Sequence, residues 1–126
     1  MTTDAPLVIA VDTSTTATKA IIVDPEGRVL ASARREIPLK HPRTSYYEHN
    51  PPDWWTTTNE SVGEAVGALP PGERGRIAAM AITHQRETFA PFDAKGNPLR
   101  EGILWMDGRA AKQVLTIGRP AIHALS

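Results

Sequence analysis

The sequence predicts a mixed α/β domain with three antiparallel strands at its N-terminus and flanking helices. Two strand-length runs rich in β-branched residues, LVIAV and KAIIVD, lie on either side of a short polar turn. A stretch with helical spacing then precedes another apolar run, an order typical of two parallel strands joined by a helix. With 126 residues, of which 40% are hydrophobic, the chain can form one domain with its own core but not a second complete one.

Three strands are expected in direct succession. Residues 7–11 and 19–24 form the first two, and DPEG at 24–27 has the proline and glycine positions of a tight turn. In residues 28–37, RVLASARREI, apolar and more polar side chains alternate, as in a half-buried strand. The polar connector at 38–50 contains prolines and shows neither strand nor helix spacing, so it is predicted to be irregular.

A helix is predicted over about residues 51–69. Asn50 precedes it as the N-cap, prolines occupy its first positions, and Asp53 lies in the first turn, where the helix dipole favours an anion. Trp54 and Trp55 are both assigned to helix packing. One stripe at spacings of three and four residues is expected to face the core: Trp55, Thr58, Val62, Val66 and Leu69.

The second half of the chain is predicted to extend the sheet. Residues 77–83, IAAMAIT, indicate a buried strand parallel to the first. ETFAPFD indicates another strand, DAKGNPL a turn, and a helix is expected to begin after Asp107. The last stretch, TIGRPAIHALS, ends on apolar residues without a stop signal, which is expected of a chain cut inside an element.

Composition excludes several classes of function. Fourteen basic residues balance fourteen acidic ones, which gives no electrostatic reason to expect nucleic acid or a membrane surface as a partner. The absence of cysteine excludes disulfides and thiolate zinc sites, and His41, His49 and His123 lack metal-ligand spacing. No apolar run approaches a membrane span and MTTDAP is unlike a signal peptide, so a cytoplasmic location is expected.

Hydroxyl side chains concentrate in the turn after the first strand, DTSTTATK. Ser14, Thr15, Thr16 and Thr18 offer hydroxyl donors beside backbone amides, which suits phosphate oxygens. Asp12 would hold a magnesium ion or its waters, and Lys19 would add a cation near the same phosphates. From these residues alone, the alternative is that threonines merely suit a hairpin, because threonine has high strand propensity.

A second polar group follows the strand predicted at 77–83. An arginine fork donates several hydrogen bonds and a carboxylate accepts them, so Arg86 and Glu87, with Gln85 beside them, would suit a polyhydroxylated substrate. The alternative is an exposed ion pair between the two charges. His84 is predicted to be structural.

The segment ILWMDGRA contains a third candidate group. Trp105 is either a core residue or a flat surface for the carbon side of a sugar. Asp107 and Arg109 either bind further substrate hydroxyls or hold the loop through an ion pair, and the sequence does not separate these two roles.

Four motifs in this order resemble the N-terminal region of the FGGY carbohydrate kinases, which include glycerol kinases and xylulokinases. They are DTSTTATKAIIVDPEGRVLA, EHNPPDWW, IAAMAITHQRETF and ILWMDGRA. The resemblance runs from Val8 to about Ala111. It implies an actin-like, ribonuclease-H-like α/β fold and the phosphorylation of a sugar or polyol hydroxyl by ATP and Mg²⁺.

The resemblance also implies roles for single residues on the phosphate side. The hairpin from Asp12 to Lys19 resembles the family's phosphate-binding hairpin, with Thr15 and Thr16 touching ATP phosphates and Asp12 near Mg²⁺, directly or through water. Lys19 stands where the family has a basic residue. The family usually has glycine at Ser14, and a β-carbon there would restrict a positive φ or a close approach of phosphate.

On the substrate side, QRE is similar to the polyol-binding segment of glycerol kinases, and Trp105 is similar to a substrate-facing tryptophan. QRETF looks more like a glycerol kinase, whereas LWMDGRA looks more like a xylulokinase or another pentulose kinase. The prediction therefore favours a pentulose such as xylulose, with glycerol next.

Family members are two-domain enzymes several times longer than this chain. The resemblance implies that residues 1–126 are an incomplete N-terminal domain, with the general base and the C-terminal ATP-binding domain lying outside it, so the chain alone is expected to be inactive. Exposed cleft surface would make homodimerisation unsurprising. Two alternatives stay open: a stand-alone sugar-binding or regulatory module, and another actin-like ATPase, which QRETF and LWMDGRA disfavour.

Overall fold

A computed structural model describes residues 4–123. Within them the strands are β1 (Leu7–Thr13), β2 (Ala17–Val23), β3 (Val29–Glu36), β4 (Glu48–His49), β5 (Ile77–His84) and β6 (Gly102–Ile103). The helices are α1 (Pro51–Ala68), α2 (Pro71–Arg74) and α3 (Ala111–His123). No helix of this described part is both long and apolar enough to cross a membrane.

The four longer strands form one mixed sheet in the order β3-β2-β1-β5. β1 lies inside the sheet, antiparallel to β2 and parallel to β5, and β2 is antiparallel to β3. The short strands β4 and β6 form a separate antiparallel pair. The predicted α/β class is therefore confirmed, with three antiparallel strands followed by a helix and a parallel strand.

The core lies between α1 and one face of the sheet. Because side chains alternate along a strand, every second residue of β1 and β2 points towards the helix. The buried apolar cluster consists of Leu7, Ile9, Val11, Ala20, Ile22, Ala31, Ala33, Ala65 and Leu69. The opposite face of the sheet, which carries Asp12 and Lys19, is open.

The predicted stripe of α1 is confirmed at its C-terminal end, where Leu69 belongs to the core and Val62 and Val66 pack against it, but it is wrong at Trp55. The buried helix residues in its middle are Thr57, Ser61 and Ala65, whereas the side chain of Trp55 is 72% exposed. Small side chains allow the helix to lie close to β2, where Thr18 Oγ1 is 2.8 Å from Thr57 Oγ1. The hydroxyl of Ser61 also donates to the carbonyl oxygen of Thr18 at 3.3 Å. Thr18 is fully buried against the helix, so the prediction that its hydroxyl is offered to a phosphate is wrong. Hydroxyl contacts, not large apolar groups, therefore line the centre of this interface.

The prediction that residues 77–83 form a buried strand is half correct. β5 is present and parallel to β1, but its side chains are exposed, with Met80 and Ile82 each 53% exposed. The reason is that α1 packs mainly over β2 and β3, so no described residue covers β5. The strand predicted at ETFAPFD is also wrong, because this segment makes only isolated bridges, whereas the turn at residues 93–97 is present.

Local packing around the start of α1 departs from the prediction in two details. The side chain of Asn50 donates to the Asp53 carboxylate at 2.9 Å and caps no backbone N–H. Trp54 packs against β6, where a Cβ on Gly102 would lie 2.8 Å from Cη2 of the indole.

The connector at 38–50 is irregular except for β4, and α3 begins after Asp107 as predicted. The predicted cut inside an element concerns the chain end, and residues 124–126 lie outside the described part.

The alternation along β2 generates a stability prediction. Replacing the buried Ile22 by alanine should lower the free energy of unfolding by about 2–5 kcal/mol, because it removes apolar contacts and leaves a cavity under α1. The matched variant Ile21→Ala, on the open face, should cost about 1 kcal/mol or less. Urea unfolding measures both, and equal losses would show that the helix-covered face is not the core.

Candidate functional site: a polar turn beside a strand end

The turn between β1 and β2 has all of its carbonyl oxygens engaged. Each carbonyl of residues 14–17 accepts a hydrogen bond of 2.9 to 3.4 Å. The oxygens of Ser14, Thr15 and Thr16 accept from Gln85 Nε2, His49 Nε2 and the Ile37 N–H, and that of Ala17 accepts from the N–H and hydroxyl of Ser14. These donors fix the turn from the protein side.

The backbone N–H groups of Thr15 and Thr16 are in the opposite situation. Within residues 4–123, neither has a hydrogen-bond acceptor. Adjacent unengaged amides in a turn favour the binding of an anion. Ser14 has no positive φ, so the serine in place of the family's usual glycine demands no left-handed backbone.

Asp12 and Lys19 lie apart from this turn, on the open face of the sheet. They are cross-strand neighbours of β1 and β2, and Thr83 of β5 is the neighbour of Asp12 on its other side. The three line a shallow depression of about 150 Å³. In the described part of the chain neither charge has an ion-pair partner, so both are available to a ligand.

Parallel pairing of β1 and β5 brings a second group to the turn. The N–H of Gln85 donates to the Thr13 carbonyl at 3.2 Å, which places the Gln85 side chain against the turn. Thr15 Oγ1 lies 3.4 Å from Gln85 Oε1 and accepts from the indole N–H of Trp105 at 3.0 Å. One hydroxyl therefore joins the predicted phosphate side to the predicted substrate side.

Thr88 belongs to this network, although sequence reasoning did not select it. Its hydroxyl donates to Gln85 Oε1 at 3.1 Å and accepts from the backbone N–H of Trp105 at 3.1 Å. The signal was present in QRETF, where a hydroxyl follows the glutamine by three residues. Thr88 links the loop after β5 to the loop that carries Trp105.

Arg86 and Glu87 project from the end of β5 without partners. Both are exposed, and within residues 4–123 neither makes a side-chain hydrogen bond or an ion pair, so the alternative of an Arg86–Glu87 pair is not observed. Together with Gln85 and Trp105 they line an open depression of about 280 Å³. Glu87 has φ of 64°, a left-handed conformation that costs a non-glycine residue free energy and is frequent at binding sites.

His49 is the second residue that the sequence analysis missed. Its side chain is fully buried, its Nε2 lies 2.9 Å from the Thr15 carbonyl oxygen, and its Nδ1 accepts from the indole N–H of Trp54 at 2.9 Å. An indole N–H only donates, so Nδ1 carries no hydrogen and Nε2 carries one. Burial lowers the pKa of the imidazole from its usual 6.5, which favours this neutral form.

Asp107 and Arg109 form the ion pair that was one of two predicted alternatives. The Asp107 carboxylate is 1% exposed and accepts from Nε and Nη2 of Arg109 and from the Tyr47 N–H, at 2.6 to 2.8 Å. These donors hold its pKa well below the usual range. Arg109 also donates to Glu48 at 2.8 Å and stacks over Tyr46. With its oxygens occupied, Asp107 holds two loops together, so its geometry does not favour the predicted role in substrate binding.

The fold defines a class of protein. A mixed sheet in this order, with α1 covering one face, is the arrangement expected of an actin-like α/β domain. The chain belongs to the FGGY family of carbohydrate kinases, because residues 7–124 match the N-terminal domain of that family.

Curated relatives agree with this membership. A glycerol kinase from Beutenbergia cavernae is 36% identical over 115 residues, which are 90% of this chain and 23% of that protein. A glycerol kinase from Gloeobacter violaceus is 39% identical over 105 residues, 82% of this chain and 20% of that protein. The chain thus spans less than a quarter of the length of these relatives.

Solved structures confirm the actin-like α/β class. A xylulose kinase from Rhodospirillum rubrum superposes with a TM-score of 0.85 at 27% identity, over 90% of this chain and 23% of that one. A glycerol kinase from Plasmodium falciparum, solved with ADP, superposes with a TM-score of 0.79 at 26% identity, over 91% of this chain and 23% of that one.

The buried ion pair generates a pH-dependent prediction. Asp107→Asn should lower the free energy of unfolding by about 3 kcal/mol at pH 7, because it removes one of the two carboxylates that pair with the largely buried Arg109 guanidinium and leaves it with Glu48. Since folding lowers the pKa of Asp107, the pair stabilises the chain above the unfolded value of 3.8 and loses that effect as the pH falls below it. The difference between wild type and variant should therefore shrink from about pH 4 downwards.

Urea unfolding at several pH values measures this difference. Glu87→Gln is the control, because Glu87 has no ion-pair partner in the described part of the chain and its loss should change stability little at any pH. Equal stability of wild type and Asp107→Asn at pH 7 would contradict a stabilising pair.

Proposed function

We propose that this chain is the N-terminal part of an ATP-dependent kinase that phosphorylates a hydroxyl group of a sugar or polyol. The observation that carries the proposal is the hydrogen-bond network of Thr15, Gln85 and Trp105. It joins the turn to Arg86 and Glu87, and in the described part of the chain the amides of that turn and both charged side chains have no partner, so an anion site and a hydroxyl site adjoin. Phosphoryl transfer requires this adjacency, because its catalysis is mainly positioning and charge stabilisation.

On the phosphate side, the amides and hydroxyls of Thr15 and Thr16 would donate to phosphate oxygens, and Lys19 would add positive charge. The solved glycerol kinase with ADP supports a nucleotide as the phosphate donor. Asp12 would supply one carboxylate ligand to a metal ion. That fits Mg²⁺, which is held by one or two carboxylates, waters and substrate phosphates, and whose charge would stabilise the transferring group.

On the acceptor side, the Arg86 guanidinium would donate to neighbouring hydroxyl oxygens and the Glu87 carboxylate would accept from them. The Trp105 ring would cover the carbon side of the acceptor. Glycerol and a pentulose are the two narrower proposals. The names of the curated relatives support glycerol, whereas the xylulose kinase structure and the motif LWMDGRA support a pentulose such as xylulose.

The proposal assigns the remaining functions to sequence outside this chain. A C-terminal domain would supply the adenosine contacts and the general base that takes the hydroxyl proton, and the complete protein would act in the cytoplasm. Half of a cleft positions only part of the reacting groups, so the 126-residue chain alone should show no significant turnover. A stand-alone sugar-binding module remains the alternative, and it requires acceptor binding without ATP turnover.

An acceptor panel tests the proposed function. The full-length protein should consume ATP, only with added Mg²⁺, in the presence of one of xylulose, ribulose, glycerol and erythritol. The 126-residue chain under the same conditions is the matched control and should be inactive. Acceptor binding without turnover by the full-length protein would support the module instead, and absence of both would refute the proposal.

The role of Arg86 gives a sharper prediction. Arg86→Ala in the full-length protein should raise KM for the acceptor about 10- to 100-fold, the effect of losing charge-assisted hydrogen bonds, with KM for ATP changed by less than about twofold. Arg100→Ala is the control, because Arg100 is an exposed arginine whose guanidinium contacts Glu48 instead of the proposed acceptor site. Steady-state kinetics with each substrate varied separately measures both constants. Unchanged acceptor kinetics would remove Arg86 from the site.

A further inference from the structure

We infer that His49 is a positioning residue, which fixes the peptide between Thr15 and Thr16 so that its N–H points towards a bound phosphate. The inference rests on the proposed function, in that it takes the turn at residues 14–17 to bind phosphate. His49 itself touches no substrate, because it is fully buried behind the turn.

Because the peptide bond is planar, a hydrogen bond to its carbonyl oxygen also orients the N–H group of the same peptide. In a trans peptide the C=O and the following N–H point in opposite directions, and the described part of the chain contains no cis peptide. His49 Nε2 holds the Thr15 carbonyl inward at 2.9 Å, so the Thr16 N–H of the same peptide is directed outward. Gln85 Nε2 does the same for the Thr15 N–H by holding the Ser14 carbonyl, at the longer distance of 3.4 Å.

His49 is itself fixed by a second contact. The indole N–H of Trp54 occupies Nδ1, which leaves Nε2 as the nitrogen that donates. Trp54 lies in the first turn of α1, and its ring packs so closely on Gly102 of β6 that a Cβ there would lie 2.8 Å from Cη2. Successive contacts therefore connect β6 and α1 to the peptide between Thr15 and Thr16: Gly102 packs on Trp54, Trp54 donates to His49, and His49 donates to Thr15.

The arrangement requires a neutral imidazole. A proton on Nδ1 would face the indole N–H, so two donors would meet and the contact would break. The charged groups that act on the ring are Asp53 of α1 and Glu101 before β6, which favour the protonated form, whereas burial opposes it more strongly. Gln85 Nε2, 3.5 Å from Nδ1, is uncharged. Positioning should therefore persist at neutral pH and weaken as acid protonates His49.

Kinetics of the full-length protein tests the inference. His49→Ala should raise KM for ATP about tenfold, with a smaller effect on KM for the acceptor, whereas His49→Gln, whose amide can still donate to the Thr15 carbonyl, should recover most of the loss. His41→Ala is the matched control, since His41 is an exposed histidine of the same connector and should leave both constants unchanged.

Trp54→Phe provides a variant that removes the indole N–H and keeps a smaller aromatic ring at the same position. Because a proton on Nδ1 then meets no second donor and Nε2 can still donate to Thr15, the acid limb of kcat/KM for ATP should move to lower pH, an effect that a merely structural role would not produce. An acid limb at the wild-type position, or KM for ATP unchanged in His49→Ala, would overturn the inference.

Nitrogen NMR of the full-length protein, labelled at histidine and threonine, separates this inference from the proposed function. His49 should carry its hydrogen on Nε2, and the Thr16 amide signal should move in His49→Ala but not in His41→Ala. An unmoved Thr16 signal would overturn positioning itself. A moved signal with unchanged KM for ATP would instead overturn the phosphate role of the turn, on which the inference rests.

Discussion

The structure of the site depends on the requirement that buried carbonyl oxygens be hydrogen-bonded. The turn at residues 14–17 lies against the protein, where an unpaired carbonyl would cost free energy. The donors that meet this requirement come from the residue after β5, from β4, from the residue after β3 and from the turn itself: Gln85, His49, Ile37 and Ser14. Because peptide units are planar, satisfying the carbonyls on the inner side leaves the amides free on the outer side. The capacity to bind an anion follows from how the turn is anchored.

The ion pair of Asp107 and Arg109 extends this anchoring to the acceptor side. Arg109 donates to Glu48, the neighbour of His49, while Trp105 precedes Asp107 by two residues and donates to Thr15. The pair therefore keeps the connector and the Trp105 loop at a fixed separation. A pair this deeply buried is costly to desolvate, and several hydrogen bonds from neighbouring groups offset that cost. Its structural role explains why an acidic residue in a candidate substrate loop points away from the open depression.

Much of the fold could be predicted because its signals are local. Alternation along β1 to β3 and the prolines at the start of α1 determine those elements within a few residues. The exposure of β5 could not be predicted. Its apolar composition shows that the strand can pack against other apolar groups, but whether its side chains are buried depends on where α1 lies. The first half of the helix stripe was wrong for a related reason, since close approach to β2 selects Thr57 and Ser61 over larger side chains.

The same distinction applies to the candidate site. Thr15, Gln85 and Trp105 could be selected because each stands in a motif with a recognisable chemical purpose. His49 could not, because its partner Thr15 is 34 residues away and a lone histidine carries no spacing signal. Whether Asp107 pairs with Arg109 or faces a ligand depends on the path of its loop, which no residue pattern specifies.

The separation of Thr15 and Gln85, 70 residues apart in the chain, has a consequence for the order of folding. The β1–β2 hairpin is local and can form in microseconds, but the turn at its tip acquires its inward contacts only when β5 has paired with β1 across the whole α1 crossover. Closing so long a loop costs conformational entropy, and only the contacts of the completed sheet offset that cost. We therefore expect the ligand-binding shape of the turn to be among the last features to form. Partly folded chains would contain the turn sequence but would bind its ligand weakly.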